Sequence, residues 1–352
     1  MTTMPEVLET LLGAVADAHG TDLLLTTDSD PLVRIDGSLR PVATGRMDDD
    51  TMERVLHALL DAGQLAQFER DRDFDFAFSY RHHRFRGNAF FERGRRALAL
   101  RLMQSRIPTF DEILLPYPVR ALTQLHQGLV LFTGPTGSGK STSMATLVDE
   151  INRTRPCHII TIEDPIEYVH ENRQAVVHQR EVGLDAQSFD RALRASLRED
   201  PDVVLVGEMR DLESIAITLT LAETGHLVLS SLHTNDAAQA LDRIVDVFPG
   251  ERQAQIRLQL ASVLSAVVAQ RLVPRVGGGL VAAYEVLIAT SAVSNLVREG
   301  KTRQIRNAMQ MGLAAGNQTI EMSLNGLVAD GVISHDSALA TAFVPDEIET
   351  AA

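Results

Sequence analysis

Cysteine occurs once in the 352 residues and tryptophan not at all. A lone Cys157 permits neither an intrachain disulfide nor a multi-cysteine zinc site, which fits a reducing, intracellular setting. Standing at the start of an apolar run, it reads as a small core residue. Positive charge is also scarce, since 33 Lys+Arg against 47 Asp+Glu leave a formal net charge of −14. Such a surface repels phosphate backbones unless basic residues are concentrated locally. Aromatic residues make up only 5%, too few for the stacking platforms of single-strand nucleic-acid binders. No run reaches the roughly 20 apolar residues of a membrane span. The best candidate, Leu258 to Gln270, is short, interrupted by glutamines and flanked by Arg257 and Arg271. The opening MTTMPEVLET has no basic segment before an apolar run, so no secretory signal is expected and the cytoplasm is the expected compartment. What remains, 45% hydrophobic and 23% charged, is the composition of an ordinary globular protein long enough for two domains.

Organisation changes near residue 107. Before it, Val7, Leu8, Leu11, Leu12 and Val15 recur at helical spacing, with His19-Gly20 as a stop. Asp22 to Thr26 reads as a strand, and Pro31 to Ile35 is turned by Asp36-Gly37 into Ser38 to Val42. Asp48-Asp49-Asp50 heads a long helical pattern reaching about Arg70, where the acids act as a cap rather than a metal site. Phe74, Phe76, Phe78 and Tyr80 alternate strictly, and strand-like runs follow at Phe85 to Phe91 and Ala97 to Met103. Residues 1–106 therefore read as a small α+β domain. Residues 107–118 hold three prolines and little periodicity, as a linker would.

From residue 119 the apolar runs become continuous: Leu129 to Thr133, His158 to Ile162, Val203 to Val206 and Leu227 to Ser231. Helical segments separate them at Ser188 to Arg198, Leu212 to Glu223 and Ala237 to Val247. That pattern predicts a mostly parallel sheet covered on both faces, hence an α/β domain. Further helices are expected at Arg252 to Leu272, Ala292 to Glu299, Thr302 to Met311 and Ile320 to Asp330.

The sharpest chemical signal is Gly134-Pro135-Thr136-Gly137-Ser138-Gly139-Lys140-Ser141, followed by Thr142, between an apolar strand and a helix. It fills the P-loop pattern in the required context. Glycines let successive backbone N–H groups converge on a phosphate, and the helix N-terminus adds its positive end. Lys140 then reaches the β and γ phosphates and Ser141 ligates Mg²⁺, so ATP and Mg²⁺ are the expected ligands. Two acidic pairs follow strands, at the ends where open α/β sheets place ligands. Glu163-Asp164 follows Ile159 to Ile162, and Glu163 is the candidate that polarises water. Gly207-Glu208 follows Val203 to Val206, and Glu208 is the candidate that supports Mg²⁺. His226 and His233 bracket the run from Leu227; His233, at the P-loop end, could sense the γ-phosphate or hold Glu163. His19, His57 and His335 read as packing or surface residues.

From Arg81 to Arg106 eight arginines stand against Glu92 alone, a basic patch in an acidic protein. Some are solvated strand faces; a few could reach a triphosphate in the same subunit or a neighbour.

Together the P-loop, Ile162-Glu163-Asp164-Pro165-Ile166-Glu167-Tyr168, the Leu197 to Asp202 run leading to Gly207-Glu208-Met209-Arg210-Asp211, and Gly225-His226 to Leu232-His233-Thr234-Asn235 resemble the Walker A, Asp box, Walker B and His box of the type II/type IV secretion ATPases. Arg34-Ile35-Asp36-Gly37, Arg84 to Phe90 and Asn295 to Lys301 narrow the resemblance to the PilT-like pilus-retraction ATPases. It implies a PAS-like α+β N-terminal domain and a RecA-like α/β ATPase domain with C-terminal helices. It implies a homo-hexamer, an inner-membrane platform protein and paralogous pilus ATPases as partners, at the cytoplasmic face of the inner membrane. It also implies catalytic roles for Glu163, Glu208, His226 and His233, and nucleotide contacts from Arg86, Arg101 and Arg93, with Arg95 the alternative to Arg93. Extension-type relatives generally carry a tetracysteine element, so the single cysteine favours retraction. One departure is Ser294, where the signature Ala292 to Glu299 has an arginine in the family. It bears on retraction and on main motor against accessory paralogue, not on hydrolysis. The rival readings are a nucleic-acid motor, which the charge and the few aromatics disfavour, and a non-hydrolysing adaptor, which the presence of both Glu163 and Glu208 disfavours.

Overall fold

The computed structural model describes residues 5–349 apart from 19, 36, 82, 104 and 105. His19 and Asp36, named above, lie outside the described residues. The chain divides into two compact units, Met1–Arg106 and Ile107–Ala352.

Among the described residues the first unit is a six-stranded antiparallel sheet with three helices. Its strands are β1 (Asp22–Thr26), β2 (Leu32–Ile35), β3 (Ser38–Pro41), β4 (Asp73–Tyr80), β5 (His83–Glu92) and β6 (Arg95–Met103), in the order β3-β2-β1-β6-β5-β4. The alternation in β4 lines Phe74, Phe76 and Phe78 along one face, where they stack in sequence and on to Phe85 with centroids 6.4, 6.0 and 5.3 Å apart. Gly87 lies opposite Phe76, and a Cβ there would come within 2.4 Å of the ring, so only glycine lets the aromatic lie on the neighbouring strand. The helical pattern expected to run to Arg70 is two helices, Asp49–Leu59 and Ala62–Asp71. Leu60 is extended, and Asp61 opens the second helix with a capping box to Gln64, a stop and restart hidden inside one apolar period. The acids at 48–50 do cap: Asp48 accepts from Thr51 N at 2.8 Å.

The second unit holds β7 (Gly128–Thr133), β8 (His158–Glu163), β9 (Val176–Glu181), β10 (Val203–Val206), β11 (Leu227–Leu232), β12 (Leu264–Pro274) and β13 (Leu280–Ile288). The order is β13-β12-β7-β11-β10-β8-β9, all parallel except the β12–β13 pair. Every residue of β7, β10 and β11 is buried, as continuous apolar runs require, and each large side chain so placed contributes roughly 1.5–3 kcal/mol. Two cores cover the sheet faces, one around Leu219, Leu241 and Ile256, the other around Phe132, Leu147 and Tyr284.

Two expectations need correction. The helix expected from Arg252 to Leu272 ends at Val263, and Leu264–Pro274 is β12. Short apolar runs do not declare their period; here the open edge of β7 offers a parallel ladder, with Val268 opposite Phe132. The segment expected as a linker is built into the second unit: Leu115 is buried, Phe110 and Ile113 pack on the core, and the Tyr284 hydroxyl donates to Ile113 O at 2.9 Å. C-terminal helices occur at Ser291–Arg298, Ile305–Met311, Ile320–Ala329 and His335–Thr341.

Candidate active site

In a parallel sheet the C-terminal strand ends share one edge, and β7, β8, β10 and β11 bring residues far apart in sequence to it. β7 runs into the P-loop, whose last residue before the helix Lys140–Thr154 is Gly139, left-handed at φ 88°. A Cβ at Gly139 would lie 2.7 Å from Gln270 Nε2, and one at Gly134 would lie 2.3 Å from Gln270 O. The loop thus wraps a buried glutamine of β12. Gln270 Nε2 donates to Ser138 O at 2.7 Å, and its Oε1 accepts from the Ser143 hydroxyl at 3.0 Å. The Lys140 ammonium donates to Gly134 O and Pro135 O at 2.8 and 3.0 Å, and burial lowers its pKa. Ser138 Oγ is buried without a hydrogen-bond partner. Among the described residues no three His, Cys, Asp or Glu side chains form a metal cluster. A Mg²⁺ carried by nucleotide phosphates needs no such cluster, and the Ser141 hydroxyl beside Lys140 is the donor type it takes. The glycine cradle, the helix N-terminus and the orphaned Ser138 hydroxyl fit a phosphate-bearing ligand. The Thr142 hydroxyl is engaged with the Tyr168 hydroxyl, 2.9 Å away.

Glu163 ends β8. Its carboxylate accepts from Thr161 Oγ1 at 2.6 Å and Gln179 Nε2 at 3.2 Å, yet burial dominates and pushes its pKa up to about 7. A carboxyl poised there is matched to proton transfer near neutral pH. Glu208, after β10, behaves oppositely. Partial burial raises its pKa, but the ion pair with Arg210 and the His233 contact outweigh that and hold it below the usual range. Arg210 also lies 3.6 Å from Asp164, tying the β8 and β10 ends together.

His233 Nε2 lies 3.1 Å from Glu208 Oε2, so the structure gives it Glu208 as partner rather than Glu163. The next residue is fastened to the P-loop strand, because Thr133 Oγ1 donates to Thr234 O at 2.6 Å and accepts from Thr234 N at 3.1 Å. His226 does not join this group within the chain. It precedes β11, with its carbonyl bound to Gly128 N at the start of β7 and its Nδ1 near Leu221 O and Thr224 Oγ1. Six strand residues separate that end from the P-loop end, about 20 Å.

In the first unit, Arg86 and Arg101 are directly opposed on β5 and β6. Arg101 Nε donates to Asp22 Oδ1 at 2.8 Å, and Arg34 lies 3.5 Å from the same carboxylate; burial raises the Asp22 pKa, but hydrogen bonds from Arg101 and Thr21 and the charges of Arg101 and Arg34 outweigh it and draw it below its usual value. Arg93 is not part of that row. With Gly94 it forms the β5–β6 turn, left-handed at φ 51° and beside Glu92 at 3.2 Å. That is about 20 Å along the hairpin from Arg86. Arg95 pairs with Asp28.

Sequence reading assigned no role to Thr161, Gln179, Arg210, Gln270 or the Thr133–Thr234 latch, though Arg210 and Thr234 stand inside quoted motifs. Gln270 and Thr161 carried a usable signal, a polar side chain inside an apolar run, which needs a buried partner.

Residues 98–282 match the family described as "Type II/IV secretion system protein". The chain is 43% identical over 337 residues to the type IV pilus retraction ATPase PilT of Pseudomonas aeruginosa, covering 96% of this chain and 98% of that one. It is 38% identical over 336 residues to the type IV pilus ATPase PilU of the same organism, covering 95% and 88%. The crystal structure of the pilus retraction motor PilT with bound ADP superposes with a TM-score of 0.89 at 43% identity over 97% of both chains. That likeness identifies the second unit as RecA-like and, with the composite site at its strand ends, places the chain in the type II/IV secretion ATPase family, among its PilT-like members.

Proposed function

We propose that this protein hydrolyses ATP with Mg²⁺ and uses the energy to drive type IV pilus retraction. The observation that carries the chemistry is the convergence of Lys140, Glu163 and Glu208 on one sheet edge, with the pKa values of the two carboxyls shifted in opposite directions. When bound, Mg²⁺ would screen the β and γ phosphate charge, held by Ser141 and, directly or through water, by Glu208. Lys140 exchanges its carbonyl partners for phosphate oxygens. Glu163 accepts a proton from the attacking water. His233 and Arg210 hold Glu208 ionised and fixed.

Mechanical output requires nucleotide state to move one part against another. We place the work in a homo-hexamer at the cytoplasmic face of the inner membrane, acting on a platform protein, with Arg86 and Arg101 completing a nucleotide site. A second reading, an accessory paralogue of the main motor, is favoured by Ser294, which stands on the helix Ser291–Arg298 where the retraction signature has arginine. Deletion in the source organism separates the readings. Surplus surface pili with lost twitching marks the retraction motor; surplus absent and motility only weakened marks the accessory role. Loss of pili would refute both and indicate assembly.

A further inference from the structure

The groups that hold Glu163 lie partly outside every motif that identifies the family. β8 and β9 pair in parallel with Thr161 opposite Gln179 and Glu163 opposite Glu181. Residues two apart on a strand share a face, so Thr161 and Gln179 project to the same side as Glu163. Both donate to one oxygen, Glu163 Oε1, and the Glu167 backbone amide adds a further bond to the carboxylate.

The Gln179 amide cannot turn away. Its Oε1 accepts from His170 N at 2.7 Å, and its Nε2 also donates to Tyr168 O at 2.8 Å. The Tyr168 hydroxyl in turn meets Thr142 Oγ1 at 2.9 Å, one residue beyond Ser141 in the helix that follows the P-loop. A continuous path, Glu163 to Gln179 to Tyr168 to Thr142, therefore joins the carboxylate to the phosphate-binding element without passing through nucleotide.

We propose that Gln179 is a positioning residue for ATP hydrolysis, fixing the Glu163 carboxylate against the P-loop helix through Tyr168 and Thr142. This rests on Glu163 being the group that activates water. The amide donates to the carboxylate, so it also favours the ionised form that accepts a proton. The charged groups around Glu163 are Glu167 and Asp164 from its own segment, Glu181 from β9, and Arg210 with Glu208 from the segment after β10. Glu167 raises the Glu163 pKa, Glu181 is bound to Ile166 N, and Arg210 engages Asp164 and Glu208. With burial already holding Glu163 near 7, each lost donor moves its titration further up.

The test is the pH dependence of kcat for the full chain at saturating MgATP. Gln179→Met keeps the side-chain length and removes the donors. Its kcat at pH 7 should fall about 5- to 10-fold, with KM within about twofold and the acidic limb displaced upward by up to about one pH unit, so that much of the rate returns by pH 9. Thr161→Val, which removes the other side-chain donor, should move the limb the same way. A Gln179→Met rate lowered equally at every pH, or unchanged throughout, overturns the inference. If that variant fails to fold, Gln179→Asn, polar but too short to reach Glu163, reads the same limb with the same two outcomes. Glu163→Gln separates the two levels. Its turnover must be lost; normal turnover there removes the water-activating role and this inference with it, whereas an unmoved limb in Gln179→Met beside a dead Glu163→Gln removes the inference alone.

Discussion

The two sheets are assembled from opposite kinds of contact. In the first unit β1–β2, β2–β3, β4–β5 and β5–β6 pair consecutive strands, and among the described residues only β1–β6 joins distant parts of the chain. In the second unit β7 sits between β11 and β12, and β10 lies beside β8, so none of the pairings that form the reactive edge is a hairpin and several join segments remote in sequence. Local pairing leaves one face of the antiparallel sheet for solvent, and there Arg86 and Arg101 stand exposed without any burden on the core. The parallel sheet is buried on both faces, so the groups that meet a ligand appear where strands end. The lesson is that the arginines can be replaced at little cost to the fold, while the P-loop edge is continuous with the packing that supports it.

The largest effect that would test this contrast is on turnover. Lys140→Ala should reduce ATPase activity by at least about 100-fold, because the ammonium is the buried cation of the loop. Steady-state phosphate release measures it, and normal turnover would sink the P-loop assignment. Glu163→Gln should cost about 10² to 10⁴ in kcat while nucleotide binding survives, since the amide keeps shape but accepts no proton. Loss of binding instead would make Glu163 a structural or metal group.

Next comes packing. Phe85 is fully buried in the first unit, stacked on Phe78, and Phe85→Ala should destabilise that unit by about 3–5 kcal/mol in denaturant unfolding. A cost below 1 kcal/mol would mean that the hairpin sheet is not a packed core.

A smaller effect sits in the second unit. Glu285, buried on β13, accepts from Ala237 N at 2.8 Å, and burial pushes its pKa up to about 7. A carboxyl whose folded pKa is raised binds its proton more tightly when folded, so the contribution of Glu285 to stability is fully present below pH 4.5 and is lost between pH 4.5 and 7. Glu285→Gln, which retains an acceptor for Ala237, should therefore gain on the parent as pH rises from 5 to 8, by roughly 2–3 kcal/mol. Parallel melting curves across that range check it; a constant difference would refute the assignment.

The smallest stability change is expected at the arginine row. Arg86→Ala should alter unfolding by no more than about 0.5 kcal/mol yet lower turnover. If the arginine serves a neighbouring subunit, mixing Arg86→Ala with Lys140→Ala protein should restore activity at interfaces that keep both groups. No recovery, together with full activity of Arg86→Ala alone, would confine function to the second unit.

Much of this protein was legible in the chain itself. The P-loop fixes its own geometry, because glycines at 134, 137 and 139 admit a backbone that other residues resist. Four continuous apolar runs declare buried parallel strands, and strict alternation at Phe74 to Tyr80 declares a half-buried one, since each period reports how many faces are covered. Other features were decided only in three dimensions. Whether Leu264–Pro274 is helix or strand depends on the edge that β7 presents, and whether residues 107–118 tether or pack depends on the core that receives Leu115. Side-chain partnership was equally out of reach. His233 meets Glu208, His226 is left at the far end of β11, and Gln179 and Gln270 become struts, because parallel pairing matches residues that no local pattern connects. Sequence sets what each segment can bury and which backbone turns it tolerates; the strand order determines which of those segments end side by side.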